Sequence, residues 1–260
     1  TGVNPPTHGV HDNFEFRLAD ANVTLAEILA RTGYETGAVI AAQPLVSGSG
    51  LDRGFSWYDD ELPAGAIDHF AERRADAVTD AAVRLLEEHL QGTDPWFLWV
   101  HYFDPHAEYD PPERFLGPGG DRYDGEIAFV DSELSRLLSS IDLDRTLVAL
   151  TADHGESLGE HGEPTHAYFL YDSTIHVPLI LSWEGRIERG TEVPGMVRLV
   201  DVAPTLLDLA GAEQLPDCDG RSVADALLGA ATGIETVYAE SYEGLAQYGW
   251  RPLYSLRDER

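Results

Sequence analysis

Leu147-Val148-Ala149-Leu150-Thr151-Ala152-Asp153-His154-Gly155-Glu156-Ser157-Leu158-Gly159-Glu160-His161-Gly162 is the stretch whose reading decides this chain. Leu147–Leu150 is an apolar run bounded by polar residues, which predicts a short buried strand. Asp153 and His154 follow at once. In open α/β sheets ligands gather outside the carboxyl ends of the strands, and a carboxylate beside an imidazole at such an end is placed to hold a metal. Gly155 is expected to let the backbone turn away so that both side chains face one cavity. The alternative is an Asp that caps a turn beside an ordinary loop histidine. Six histidines fall between His101 and His176, and that clustering points to an enzyme.

Outward from this stretch, strands alternate with helices. Thr24 is placed to cap a helix over Leu25–Arg31 that stops at Gly33, and Thr36–Ala42 reads as a strand. Residues 43–66 read as a long loop. Ile67–Leu90 and Tyr123–Ile141 carry apolar residues at helical spacing. Trp96–Tyr102 is a nearly continuous apolar run, the pattern of a central strand buried on both faces. Val177–Ser182 predicts another buried strand, Asp201–Gly211 a helix, Ser222–Leu228 a short helix and Thr236–Ala239 a strand. Such alternation predicts an α/β fold with a largely parallel central sheet and helices on both faces.

Composition narrows the function. The 260 residues hold 46 acidic and 17 basic side chains, a formal charge of −29, and every basic residue is Arg. That charge argues against nucleic acid and anionic membranes as partners. Carboxylate-rich, Lys-free surfaces suit high salt, so a halophilic, salt-adapted protein is expected; a GC-rich genome that exchanged Lys for Arg is the competing explanation. No apolar run has transmembrane length. With one cysteine no disulfide can form within the chain, and Cys218, among acidic neighbours in a turn-rich loop, reads as a passive thiol.

The ordered motifs resemble the sulfatase family. The resemblance is carried by Thr151-Ala152-Asp153-His154-Gly155-Glu156, Leu158-Gly159-Glu160-His161-Gly162, Phe169-Leu170-Tyr171-Asp172 and Val177-Pro178-Leu179-Ile180. It extends to Trp99-Val100-His101-Tyr102-Phe103-Asp104-Pro105-His106, Asp201-Val202-Ala203-Pro204-Thr205, Asp219-Gly220-Arg221-Ser222 and Leu51-Asp52-Arg53-Gly54-Phe55. Each motif alone is weak; their order along nearly the whole chain is specific.

The resemblance implies an alkaline-phosphatase-like fold and a sulfuric ester hydrolase. It implies Asp153 and His154 as metal ligands, although many members have Asn at the second position. It implies His106 and His166 as groups at the sulfate and its leaving oxygen; His166 falls near where many members have Lys. His106 fixed by Pro105 as a loop histidine, and His166 as a surface histidine, are the structural alternatives. His101 reads as a core histidine, and His161 and His8 as turn residues. Asp104 is a candidate to orient His106.

The implied cofactor is a divalent metal, Ca²⁺ by resemblance, with Mg²⁺ or Mn²⁺ as candidates that suit an imidazole better. The family's nucleophile is a formylglycine made from Cys or Ser in C/S-x-P/A-S-R, a motif that would lie upstream of Thr1-Gly2. Residues 1–260 are therefore expected to be a partial sulfatase catalytic domain, cut at both ends and inactive alone. A phosphodiester or phosphonate monoester hydrolase of the same superfamily is the competing enzyme, and a non-catalytic binding module derived from the fold is the competing class. The expected partner is a small-molecule or carbohydrate sulfate ester, with specificity in Gln43–Pro63 and Asp104–Asp121. The family is often exported to the periplasm or beyond the cell; the sequence itself leaves the compartment and oligomeric state open.

Overall fold

The computed structural model describes all residues except 14–16, 64–70, 91, 228–229, 231–235 and 259–260. It divides into two compact units, one formed by residues 17–142 and the other by residues 1–16 with 143–260.

In residues 17–142 a parallel sheet forms from β1 (Glu35–Val39), β2 (Trp57–Asp59) and β3 (Trp96–Val100), in the order β2-β1-β3. The predicted helix over Leu25–Arg31 is present with a full capping box: Glu27 N–H donates to Thr24 Oγ1, and Thr24 N–H donates to Glu27 Oε2. The central strand is β1, whose Ala38 and Val39 are completely buried, whereas β3 lies at the edge of this sheet and is half-buried along its length. An apolar run reports side chains that leave water; it does not report a strand's place in the hydrogen-bond order.

The 43–66 loop reading missed β2, which is too short to show a period. The helix predicted over Ile67–Leu90 is shorter, Ala75–Leu85, followed by one wide turn over Leu86–Leu90; its expected first residues fall outside the described residues. Val78, Ala82 and Leu85 share its buried face and cluster with Val39, Ala41 and Leu137. Each such fully buried Val or Leu contributes about 1.5–3 kcal/mol. Leu137 comes from the helix Arg122–Leu138, close to its predicted bounds.

The other unit carries two antiparallel pairs. β4 (Val148–Thr151) pairs with β5 (Leu179–Ser182), and β6 (Thr236–Ser241) with β7 (Leu253–Asp258). The expectation that β4 and β5 are wholly buried is corrected: alternate residues are exposed, Ile180 by 57%. Two adjoining apolar faces in a short strand read the same from sequence whether one or both are covered.

Two motifs prove to be scaffold. Asp201, fully buried, accepts from Arg198 N–H, from its guanidinium and from Arg221 N–H. Thr205 Oγ1 donates to Asp201 O and accepts from Val223 N–H, which ties the helix Val202–Ala210 to the Asp219–Ser222 turn. In the first unit Arg53 donates to the carbonyls of Asp20, Asn22 and Gly50, and so fastens the Leu51–Phe55 turn.

Candidate active site

Strand β4 delivers the Asp-His pair. Thr151 Oγ1 donates to Pro178 O at 2.8 Å and fixes the strand's end beside β5. After Ala152 the chain exposes Asp153 and His154, with 80% and 44% of their side chains open to solvent. His154 Nδ1 lies 2.8 Å from Gly155 O. A carbonyl only accepts, so Nδ1 carries the proton and Nε2 is the lone-pair nitrogen. Asp153 Oδ1 accepts His154 N–H at 3.0 Å, and Oδ2 lies 3.8 Å from His154 Nε2. Two donors of metal-ligand type thus face each other across one short gap.

Gly155 does its work by close approach. Its N–H donates to Thr174 O at 2.9 Å, and a Cβ there would stand 2.2 Å from Ser173 O. Any side chain would push the loop off the segment before β5.

His166 joins the pair. Its ring lies against that of His154, with centroids 4.2 Å apart and planes inclined by 28°. Its Nδ1 lies 3.2 Å from Glu156 Oε1, and the Glu156 side chain is only 6% exposed. A carboxylate can only accept, so it holds the ring by its Nδ1–H. Sequence reading missed Glu156; it stands two residues beyond His154 in the motif, but nothing in the sequence shows its carboxylate turned inward onto His166. His161 has a left-handed backbone (φ 56°) and packs flat on Tyr171 at 3.7 Å.

His106 belongs to the 17–142 unit, beyond the end of β3. Its ring stacks on Phe103 at 4.1 Å, and Nδ1 lies 2.7 Å from Ala107 O, which again places the proton on Nδ1. Glu126, buried, accepts His106 N–H at 3.1 Å and Asp110 N–H at 2.6 Å, which pins the loop at the histidine and again at Asp110. Burial pushes the Glu126 carboxyl above its ordinary range. Asp104 has a different task from the one expected. Its Oδ2 accepts Ala75 N–H at 2.8 Å and so caps the helix Ala75–Leu85. Burial raises the Asp104 carboxyl as well.

Three further histidines are built in. His101 Nδ1 accepts Ala41 N–H at 3.4 Å, and His8 Nδ1 accepts Val10 N–H at 3.1 Å. His11 Nδ1 lies 2.6 Å from Glu240 Oε1, with its ring on Tyr242 at 4.8 Å. Cys218 Sγ donates to Gly2 O at 3.1 Å, and burial raises its thiol.

A divalent ion is the test of the Asp153–His154 pair. Carboxylate oxygen with imidazole nitrogen is a donor set that Mg²⁺, Mn²⁺ or Ca²⁺ accepts, so the two residues fit such an ion as part of its shell. Among the described residues no group of three or more His, Cys, Asp or Glu is gathered for a metal.

The fold is alkaline-phosphatase-like. It is shared with a solved structure described as a complex with its substrate D-glucosamine-2-N,6-O-disulfate, at TM-score 0.83 and 20% identity over 99% of this chain and 75% of that one. It is shared too with the phosphonate monoester hydrolase of Agrobacterium radiobacter, at TM-score 0.77 and 21% identity over 100% of this chain and 75% of that one. The sulfatase family profile matches residues 1–212, and the chain belongs to that family.

Among similar sequences, iduronate 2-sulfatase of Homo sapiens is 26% identical over 54% of this chain and 40% of that protein. N-acetylglucosamine-6-O-sulfatase of Bacteroides thetaiotaomicron is 31% identical over 53% of this chain and 26% of that protein. The chain thus matches less than half the length of these relatives.

Proposed function

We propose that the protein containing this chain hydrolyses carbohydrate sulfate esters. The observation that carries the reading is the cluster after β4, where the Asp153–His154 pair stands against a histidine whose Nδ1 is held by a buried carboxylate. Membership of the sulfatase family supports it, as do relatives and a structural neighbour whose names and ligand are sulfated sugars.

Asp153 and His154 would hold the divalent ion, Ca²⁺ in this reading, and when bound it would neutralise charge on the sulfate oxygens. His154 is prepared for that by Gly155 O, which holds the Nδ1–H tautomer and turns the ring so that Nε2 is the atom that would meet the ion. His166, with Nδ1–H fixed on Glu156, presents Nε2 to the ester oxygen and, as the imidazolium paired with that carboxylate, gives its Nε2 proton to the departing alcohol and returns to the neutral ring. The resemblance to sulfatases assigns His106, its Nδ1–H fixed on Ala107 O, a similar oxygen-steadying role. The nucleophile in this reading is a formylglycine outside the 260 residues, so the isolated chain should not turn over.

The likeness to a phosphonate monoester hydrolase keeps a second reading in view. The test is a side-by-side assay of the whole protein on an aryl sulfate, a 6-O-sulfated hexosamine and an aryl phosphonate monoester. Preference for the sulfated substrates is expected. Turnover of the phosphonate alone would transfer the assignment to phosphoryl chemistry, and binding without turnover of any of the three would leave a recognition module.

A further inference from the structure

The turn that carries His166 is closed by a carboxylate with almost no access to water. Glu163 is 1% exposed. Its Oε1 accepts Tyr168 N–H at 2.8 Å and Phe169 N–H at 3.2 Å. Its backbone is pinned as well: Gly159 N–H donates to Glu163 O at 3.0 Å, and Glu163 N–H donates to Glu160 O at 3.1 Å. Glu163 Oε2 is buried and has no hydrogen-bond partner among the described residues. A charged side chain in such a place is costly, and Ser157 to Phe169 is a surface loop that needs no carboxylate to cover apolar area.

Within the clamped segment lies a strained residue. Ala167 has φ +87°, a left-handed conformation that a side chain disfavours and that persists only where its surroundings enforce it. Two contacts enforce it here. Ser241 Oγ donates to Ala167 O, and Glu163 Oε1 gathers the two N–H groups that follow. His166 is the residue immediately before Ala167. If Ala167 relaxed to an ordinary φ, the chain on either side would rotate. His166 Nδ1 would then leave Glu156 Oε1, now 3.2 Å away, and its ring would leave His154.

We propose that Glu163 is a positioning residue for His166: by gathering Tyr168 and Phe169 N–H on one oxygen it holds Ala167 left-handed, and this sets the His166 ring between Glu156 and His154. The inference rests on His166 being the group at the ester oxygen, as proposed above. It assigns to Glu163 no contact with substrate.

The test uses the whole protein labelled with [13Cε1]histidine, and four variants: Glu163→Ala, Glu163→Asp, Glu163→Gln and the double change Glu163→Ala/Ala167→Gly. Three quantities are read: the ring shifts of His154 and His166, the thermal midpoint, and kcat and KM on a sulfate ester. Glu163→Ala and Glu163→Asp are expected to move both histidine resonances and to lower kcat about 10–100-fold, the usual effect of removing an orienting partner, with KM little changed. Glu163→Gln keeps an acceptor for the two N–H groups and should restore both readouts. In the double variant, glycine in place of Ala167 adopts the left-handed turn without strain, and part of the loss should be recovered.

Unmoved His154 and His166 resonances with unchanged kcat, whatever the thermal midpoint, would overturn the proposal. If Glu163→Ala does not fold, Glu163→Asp decides by the same two readouts. A wild-type protein that hydrolyses no sulfate ester would overturn the functional reading instead, and the histidine resonances would then decide the role of Glu163 alone.

Discussion

Glu156 Oε1 lies 3.2 Å from His166 Nδ1 while one face of the His166 ring rests on His154, with 4.2 Å between ring centroids. The imidazole is therefore held by a carboxylate at one edge and by a stacked ring on one face. Replacing Glu156 with Ala frees the ring to rotate and to exchange tautomers. The expected result in the whole protein is a kcat about 10–100-fold lower with a smaller change in KM, because in the proposed reaction the Nε2 end acts at the departing oxygen rather than in ground-state binding. Steady-state kinetics on an aryl sulfate checks it. A change confined to KM would place Glu156 in substrate binding.

The Asp153–His154 pair makes a prediction about metal affinity. His154→Ala removes a nitrogen donor and Asp153→Ala a charged oxygen donor; each should weaken Ca²⁺ binding by more than tenfold in calorimetric titration of the whole protein. His154→Asn supplies a carbonyl oxygen, which suits a hard cation, and should retain more affinity than His154→Ala. Equal affinity of all three variants and the parent would remove these residues from the metal site.

Gly155→Ala tests the reason for a glycine after the pair. Its Cβ would stand 2.2 Å from Ser173 O, a backbone atom that cannot swing aside. The substitution should destabilise by about 1–3 kcal/mol, the usual range for overpacking, and should displace the Asp153–His154 turn from the segment before β5. Thermal unfolding and Ca²⁺ titration together read both effects. A neutral change in both would mean that the loop yields freely.

What the sequence disclosed divides along physical lines. Thr24, Leu25–Arg31 and Gly33 were legible because caps and glycine stops act locally. So were Ala75–Leu85 and Arg122–Leu138, where apolar spacing repeats over several turns. Asp153, His154 and His166 were singled out by motif, and the structure does bring them together. β2 was invisible, since Trp57–Asp59 is too short to show alternation. The antiparallel pairing of β4 with β5 was equally hidden, because strand direction depends on connections and not on composition. Glu156 and Glu163 could not be found at all: a glutamate in a polar loop reads as solvated, and only the fold shows their carboxylates turned inward.

Asp104 gives a pH dependence with a definite sign. Burial raises its carboxyl above the ordinary value of 3.8 and outweighs the bond from Ala75 N–H, which acts the other way. The folded state thus binds the Asp104 proton more tightly than the unfolded chain does. This group's contribution is most favourable below the ordinary carboxylate pKa and declines as pH rises through the raised folded value. Asp104→Asn keeps an acceptor for Ala75 N–H and removes the buried charge. It should therefore raise the thermal midpoint at pH 7, and the gain should vanish as pH falls below the ordinary carboxylate range. Midpoints of parent and variant compared between pH 3 and pH 8, in about one-unit steps, trace the difference. A variant less stable than the parent at pH 7 would mean that the ionised cap outweighs its desolvation.

Charge makes the last prediction. With 46 acidic and 17 basic side chains, pairing every Arg would still leave 29 carboxylates unmatched. Some pairs are well made, as where Arg136 spans Glu133 and Asp80 at 2.6 Å each. Salt weakens exposed pairs such as Arg136–Asp80, each contributing about 0–1 kcal/mol, but it also screens repulsion among the larger unpaired excess. The Debye length falls from about 10 Å at 0.1 M to about 3 Å at 1 M, so repulsion between exposed charges farther apart than that is largely screened. Relief of repulsion should win, so the unfolding midpoint should climb as KCl rises to molar concentration, steeply at first and then more slowly. A flat or falling midpoint would show that the pairs dominate, and the Arg-for-Lys composition would then trace to codon usage and not to a salty habitat.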